Sequence, residues 1–121
     1  MLKMMMLFLL SGFFLLSGCA STMYTWKGYD NKLYSHYKNP AEYAEYVENL
    51  KEIIEAGDQS GTVPPGLYAE YGYTFYVQGY FTQSITYFQK EYDKWPESRV
   101  LMAKMIDNAK KESKKAGKGA M

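Results

Sequence analysis

Chemically versatile side chains are scarce in this sequence. Cys19 is its single cysteine and His36 its single histidine. One cysteine forbids an intrachain disulfide, and one histidine without spaced partners leaves no metal-ligand set. No Gly-rich phosphate loop occurs either. Charge of one sign is also missing: 14 basic side chains meet 13 acidic ones. A near-neutral chain lacks the basic face that nucleic acid requires. Acid pairs such as Glu42 and Glu45 lie on an amphipathic stretch, where they solvate a face rather than act as general acid and base. The expectation is a protein that is not an enzyme, with no catalytic residue, no metal and no cofactor.

What is present is apolar and aromatic. In 121 residues, 47% are hydrophobic and 17% aromatic, with 13 Tyr. That is enough for one small domain with a core of its own. Charge is unevenly placed: Glu42, Glu45, Glu48, Glu52 and Glu55 against Lys110, Lys111, Lys114, Lys115 and Lys118.

Residues 1–18 read as a processing segment. Lys3 gives the positive start, and Met4 to Leu16 is apolar except for Ser11 and Gly12, shorter than the about 20 residues a spanning helix needs. Leu16-Ser17-Gly18-Cys19 then resembles a bacterial lipobox, which implies cleavage before Cys19, a diacylglycerol on its thiol and acylation of the new amine. Several acyl chains anchor stably, at about 0.8 kcal/mol per buried methylene. Ala20, where inner-membrane retention would favour Asp, implies the periplasmic face of the outer membrane. Residues 19–23 are the lipidated tether, and its four residues past the thiol reach at most about 14 Å.

An aromatic stretch follows: Tyr24, Trp26, Tyr29, Tyr34 and Tyr37, with a short helix expected near 29–38. Such rings suit either a headgroup interface or packing onto the domain as an N-terminal cap. Asn39-Pro40-Ala41-Glu42 carries the signals of a helix start. Tyr43, Tyr46, Val47, Leu50, Ile53 and Ile54 then recur at amphipathic spacing, with Gly57 expected to cap the end. Residues 58–65 read as a loop.

From Pro65 to Pro96 the pattern resembles one 34-residue tetratricopeptide repeat. Tyr68, Tyr71, Gly72, Phe75, Gly79, Phe81, Ser84, Phe88 and Pro96 fall at its offsets. Helices are expected at about 66–78 and 81–94, with Gly72 and Ser84 allowing close approach and Gly79 ending the first helix. Leu101, Met102, Met105, Ile106 and Ala109 then make the buried stripe of a terminal capping helix. The expected organisation is an all-α, tetratricopeptide-like domain over 24–109 (repeat 65–98), followed by a flexible basic tail over 110–121.

The mature chain also resembles a family of small bacterial lipoproteins carrying a domain of unknown function, DUF4810. The resemblance rests on Tyr24-Thr-Trp26-Lys-Gly-Tyr29 with Leu33-Tyr34 and Tyr37, on Pro64-Pro65-Gly66-Leu67, and on Trp95-Pro96-Glu97-Ser98. It implies an outer-membrane lipoprotein working in an envelope assembly or secretion complex. The implied partners are a lipoprotein similar to the curli secretion channel and a second small lipoprotein. Two positions depart from pattern: Lys27 stands where Gly is expected, and Glu91 stands where the repeat prefers Ala. The second predicts looser packing on that helix face.

The functional expectation is a tethered protein–protein interaction module. Ala69, Tyr73, Tyr76 and Val77 would line the groove of the repeat; Tyr73 and Tyr76 are not required by the repeat core, and the alternative is that they pack against the first helix or the N-terminal aromatic segment. Ala69 and Tyr73 replace the Lys and Asn that would clamp a C-terminal carboxylate. The alternative is a structural lipoprotein that homo-oligomerises through its aromatic face.

Overall fold

The structure, a computed structural model, describes residues 1–4 and 23–119. Cys19, the lipobox and most of the leader lie outside the described residues. In chain order the elements are α1 (Tyr29–Lys38), a 3-10 turn (Pro40–Glu42), α2 (Tyr43–Ser60), α3 (Leu67–Val77), α4 (Phe81–Lys94), a second 3-10 turn (Pro96–Ser98) and α5 (Arg99–Gly119). No strand occurs among the described residues, and the fold class is all-α.

Helix α2 starts through the expected residues but by a tighter path. Asn39 Oδ1 accepts from Ala41 N–H at 3.3 Å, and its Nδ2 donates to Glu42 Oε1 at 3.2 Å. These contacts hold a 3-10 turn, and the α-helix begins only at Tyr43. At the other end, Gly57 is not the cap. The helix continues to Ser60, and Gly61 at φ +69° closes it in the left-handed region that Gly adopts without steric cost. Gly57 is instead a contact residue: a Cβ there would lie 2.7 Å from Val63 Cγ2. Val63, fully buried, plugs the core from within the connecting loop.

Helices α3 and α4 form an antiparallel hairpin about the turn at Gly79, whose φ is +83°. Close approach at Gly72 sets their spacing, because a Cβ there would meet Phe88 Cδ1 at 2.9 Å and Tyr87 Cβ at 3.1 Å. Ser84, fully buried, donates to Phe81 carbonyl at 2.9 Å and so leaves no orphan hydroxyl. One face of α3 joins α2 in a core of Tyr46, Leu50, Ile53, Ile54, Leu67 and Tyr71. The second core, between α4 and α5, holds Phe88, Met102 and Ile106, with Ala69 and Tyr76 of α3 against it. Helix α3 therefore belongs to both.

Glu91 overturns the expectation of loose packing on its face. It is 0% exposed, and its Oε1 accepts from Gly66 N–H at 2.8 Å and from Ser98 Oγ at 2.9 Å. The carboxyl thus satisfies an orphan donor at the start of α3 and fixes the entry to α5. A neutral Ala could do neither.

The basic segment also differs from expectation. Helix α5 does not end near Ala109 but runs to Gly119, beyond its last buried residue. Lys, Glu and Ala are strong helix formers, and side-chain pairs Lys111–Asp107 (2.7 Å) and Lys115–Glu112 (2.7 Å) add support one turn apart.

Gly72→Ala should lower stability by about 1–3 kcal/mol through overpacking. Glu91→Ala should cost about 1–3 kcal/mol by leaving buried donors unmatched. Chemical denaturation with helicity as the probe checks both; an unaltered midpoint in either variant contradicts the corresponding contact.

Candidate functional site

The groove expected on α3 divides into residues the fold presents and residues it uses. Tyr73 is 52% exposed and Val77 54% exposed. Tyr76 lies one turn from Tyr73, their rings stacked at 6.1 Å. Its ring also packs edge-on to Phe81 at 5.6 Å and against Phe88 at 6.5 Å. Tyr76 is therefore half core, which accounts for an aromatic at that position without any partner. Ala69 is half-buried beside α5, where its small side chain leaves space.

That space is a hollow of about 420 Å³ between α3 and α5, bounded by Ala69, Tyr73, Leu101, Met102 and Met105. A second hollow of about 440 Å³ opens on the other side of α3, toward α1 and α2. Its walls include Leu33, His36, Tyr43, Tyr46 and Val77. Tyr73 and Glu70 border both hollows, so they form a divide along one concave, mostly apolar surface.

Glu70 is the residue that sequence reasoning missed. No motif or spacing in the sequence singles it out. In the fold it is half-buried, and Tyr29 donates to its Oε2 at 2.5 Å while Tyr46 donates to its Oε1. One carboxyl thus ties α1, α2 and α3 together. Burial raises its pKa above the ordinary carboxyl value, against the opposing effects of the Tyr29 hydrogen bond and of His36. Burial, then the hydrogen bond to Glu70 and its charge, push the Tyr29 phenol far above its usual value. His36 stacks on Tyr46 with centroids 4.7 Å apart and planes at 12°, and it lies 5.4 Å from the Tyr43 ring. Its Nδ1 and the Tyr43 hydroxyl are buried without a hydrogen-bond partner.

The N-terminal aromatic motif splits in the same way. Tyr24 meets the Trp95 ring edge-on at 5.8 Å. Thr25 N–H donates to Thr62 carbonyl at 3.0 Å, and Asn49 Nδ2 donates to Lys27 carbonyl at 3.1 Å. Trp26 packs on Tyr29 at 5.7 Å. This half laces the chain over the ends of α2 and α4, as an N-terminal cap would. Tyr34 and Tyr37, by contrast, are 62% and 82% exposed. With Leu33 they make an aromatic outer face on α1. Lys27 has φ +40°, the one positive value at a non-Gly residue among the described residues. That geometry is the physical reason for Gly at this position.

An all-α protein built of helical hairpins, with a concave aromatic face on its central helix, is thus the class that fold and site define. The family profile of DUF4810, described as "Domain of unknown function (DUF4810)", matches residues 23–105. The chain belongs to that family. No curated protein and no solved structure matches it. The three sequence segments that carried the resemblance meet in the fold: Tyr24 touches Trp95, while Gly66 and Ser98 share Glu91.

Lys27→Gly should raise stability by about 0.5–1 kcal/mol, because a left-handed residue with a Cβ costs about 1–2 kcal/mol and added chain entropy takes back part of it. Thermal unfolding checks it; a lower midpoint would reject strain at this turn. The sign of the Glu70 effect is equally definite. A carboxyl whose folded pKa exceeds its unfolded value contributes stability that is complete below about pH 4.5, the ordinary value, and is lost as pH climbs through the raised one. Glu70→Gln should flatten the stability profile upward from about pH 4.5, read as denaturation midpoints across a pH series.

Proposed function

We propose that this chain is a lipid-anchored interaction module on the periplasmic face of the outer membrane, serving as a binding subunit of an envelope assembly or secretion complex. The leader, the lipobox and Cys19 supply the anchor, and Ala20 supplies the sorting preference. No cofactor beyond the covalent lipid is part of this reading, and no catalytic step is assigned. The hairpin of α3 and α4 is taken as tetratricopeptide-like, with α5 as its cap. In that architecture the first helix of each pair lines the groove.

One observation carries the proposal. Tyr73 and Val77 stand exposed on the face of α3 that neither hairpin partner needs, between two apolar hollows. Exposed Tyr offers large contact area and a hydrogen-bonding tip at low rotamer cost, which is why it is enriched at interfaces. The family resemblance adds the class of partner, a curli-secretion-channel-like lipoprotein and a second small lipoprotein. A C-terminal carboxylate is a poor fit, since neither Ala69 nor Tyr73 can clamp one.

A second reading has its own support. The outer face of α1, with Leu33, Tyr34 and Tyr37, would suit self-association into a structural lipoprotein. Light scattering on the detergent-solubilised protein separates the two, since a discrete oligomer abolished by Tyr34→Ala with Tyr37→Ala favours the structural role.

Cys19→Ser should shift the protein from the membrane to the soluble fraction and abolish fatty-acid labelling. A photoreactive residue at 73 or 77 should give a discrete adduct in intact cells, and one at Glu52 on the outer side of α2 should not. Equal labelling from all three positions would reject the groove.

A further inference from the structure

Glu70 brings a carboxyl into a half-buried aromatic setting, and no Lys or Arg pairs with it among the described residues. Burying an acid is expensive unless a counter-charge or hydrogen bonds compensate. Two phenols supply part of that compensation. An ionised carboxylate has about four lone-pair sites, so acceptor capacity remains. Around it stand the rings of Tyr43, Tyr46, Tyr73 and His36, and π faces attract cations, more strongly where water is excluded. The hollow's volume of about 440 Å³ falls within the range of small-ligand sites, about 300–1,000 Å³.

Two buried polar atoms narrow the class of cation. His36 Nδ1 has no partner, and the Tyr43 hydroxyl has the Gln78 side chain near it but no hydrogen bond of ordinary geometry; buried polar atoms are normally satisfied. A quaternary ammonium donates no hydrogen bond and would leave both unmet. A primary ammonium has three N–H donors, which match a Glu70 oxygen, the Tyr43 oxygen, and His36 Nδ1 in the tautomer protonated at Nε2. The mouth is apolar, with exposed Leu33 and Val77 beside the Tyr73 ring. That suits the four-carbon stem of lysine, which lies along apolar surface while its head seeks charge. An ethanolamine headgroup would bring its phosphate toward Glu70 and the glutamate-rich α2, so charge disfavours it.

We propose that the hollow between α1, α2 and α3 takes the primary ammonium of a lysine side chain presented by the partner protein. This rests on the interaction-module reading and names the chemistry that the partner must offer. Glu70 is the counter-charge, Tyr43 and His36 are hydrogen-bond acceptors, and Tyr73 closes the aromatic wall.

The test uses the full lipidated chain in a non-ionic detergent, titrated with Nα-acetyl-lysine methylamide and followed by NMR of the Tyr and His ring resonances. The expected result is saturable shifts at His36, Tyr43 and Tyr73, with a dissociation constant of order 1 mM. The Nε-acetylated analogue and tetramethylammonium should each bind at least tenfold more weakly. Glu70→Gln should weaken the lysine probe at least tenfold. Tyr43→Phe, which deletes one hydroxyl and keeps the ring, should weaken it severalfold and covers the case in which Glu70→Gln fails to fold. Absence of saturable shifts overturns the proposal, as does equal binding of the acetylated analogue or unaltered binding by Tyr43→Phe. Phosphoethanolamine binding as well as the lysine probe would overturn the assignment to a protein lysine. Probe binding without any crosslink from position 73 would remove the module reading and leave the site standing. Crosslinks without probe binding would do the reverse.

Discussion

The fold depends on a carboxyl that has no business at a generic repeat position. Glu91, fully buried on α4, holds the backbone at Gly66 and the hydroxyl of Ser98 on the same oxygen. It joins the start of α3 to the entry of α5 from a helix that lies between them. Removing a charged or polar group from water is costly, and the two donors offset that cost at Oε1 while Oε2 stays buried without a partner. The benefit is geometric: three helices are registered at one corner before any side-chain packing is counted. Trp95 borders the same corner and receives Tyr24, so the N-terminal strand of chain is laced to it as well.

From that corner the roles of the aromatic residues follow. Between α3 and α4, Phe75 stacks on Tyr87 and Tyr71 meets both edge-on, at centroid distances of 4.7 to 5.6 Å. Tyr68 donates to Asp58 in the last turn of α2 and lies under Lys90 at 5.4 Å. Lys90 in turn pairs with Asp58 at 3.0 Å. These rings consume one side of α3. The concave side remains, and there Glu70 rather than a ring does the joining. A helix of eleven residues thus serves two cores and still presents Tyr73 and Val77.

What could be read from the sequence was what obeys periodicity and local stereochemistry. The hairpin, Gly72 and Gly79 were legible because close approach and positive φ each demand Gly. Lys27 was legible as a departure, and its left-handed backbone explains why. Gly57 was misread because a Gly near a helix end signals a cap, whereas here it admits Val63 from the loop, two residues beyond the true cap Gly61. Glu91 was misread because a lone acid in an apolar pattern reveals neither its donors nor its burial. Glu70, His36 and Tyr43 were not found together, since they come from three helices and share no spacing. Tyr76 was misread as spare to the core, since nothing in its spacing reveals that its ring meets Phe81 and Phe88 across the hairpin. The basic segment shows the limit of composition, because a polar run of good helix formers can extend a helix that tertiary contacts have already started.

The same corner fixes how an anchored chain would stand. With lipid on Cys19, a tether of about 14 Å or less leads to Tyr24, which is held at Trp95. Such a tether would attach at the end bearing Gly66, Glu91 and Leu101, opposite the Gln78–Tyr80 turn. Helix α5 runs antiparallel to α4, with Ser98 beside Glu91 and Met102 against Phe88. Its 21 residues span about 31 Å, carrying Lys110 to Lys118 away from the Trp95 corner. Attraction to anionic headgroups decays within about 10 Å. An anchored chain whose helices stood off the bilayer would therefore carry the basic end of α5 beyond that reach.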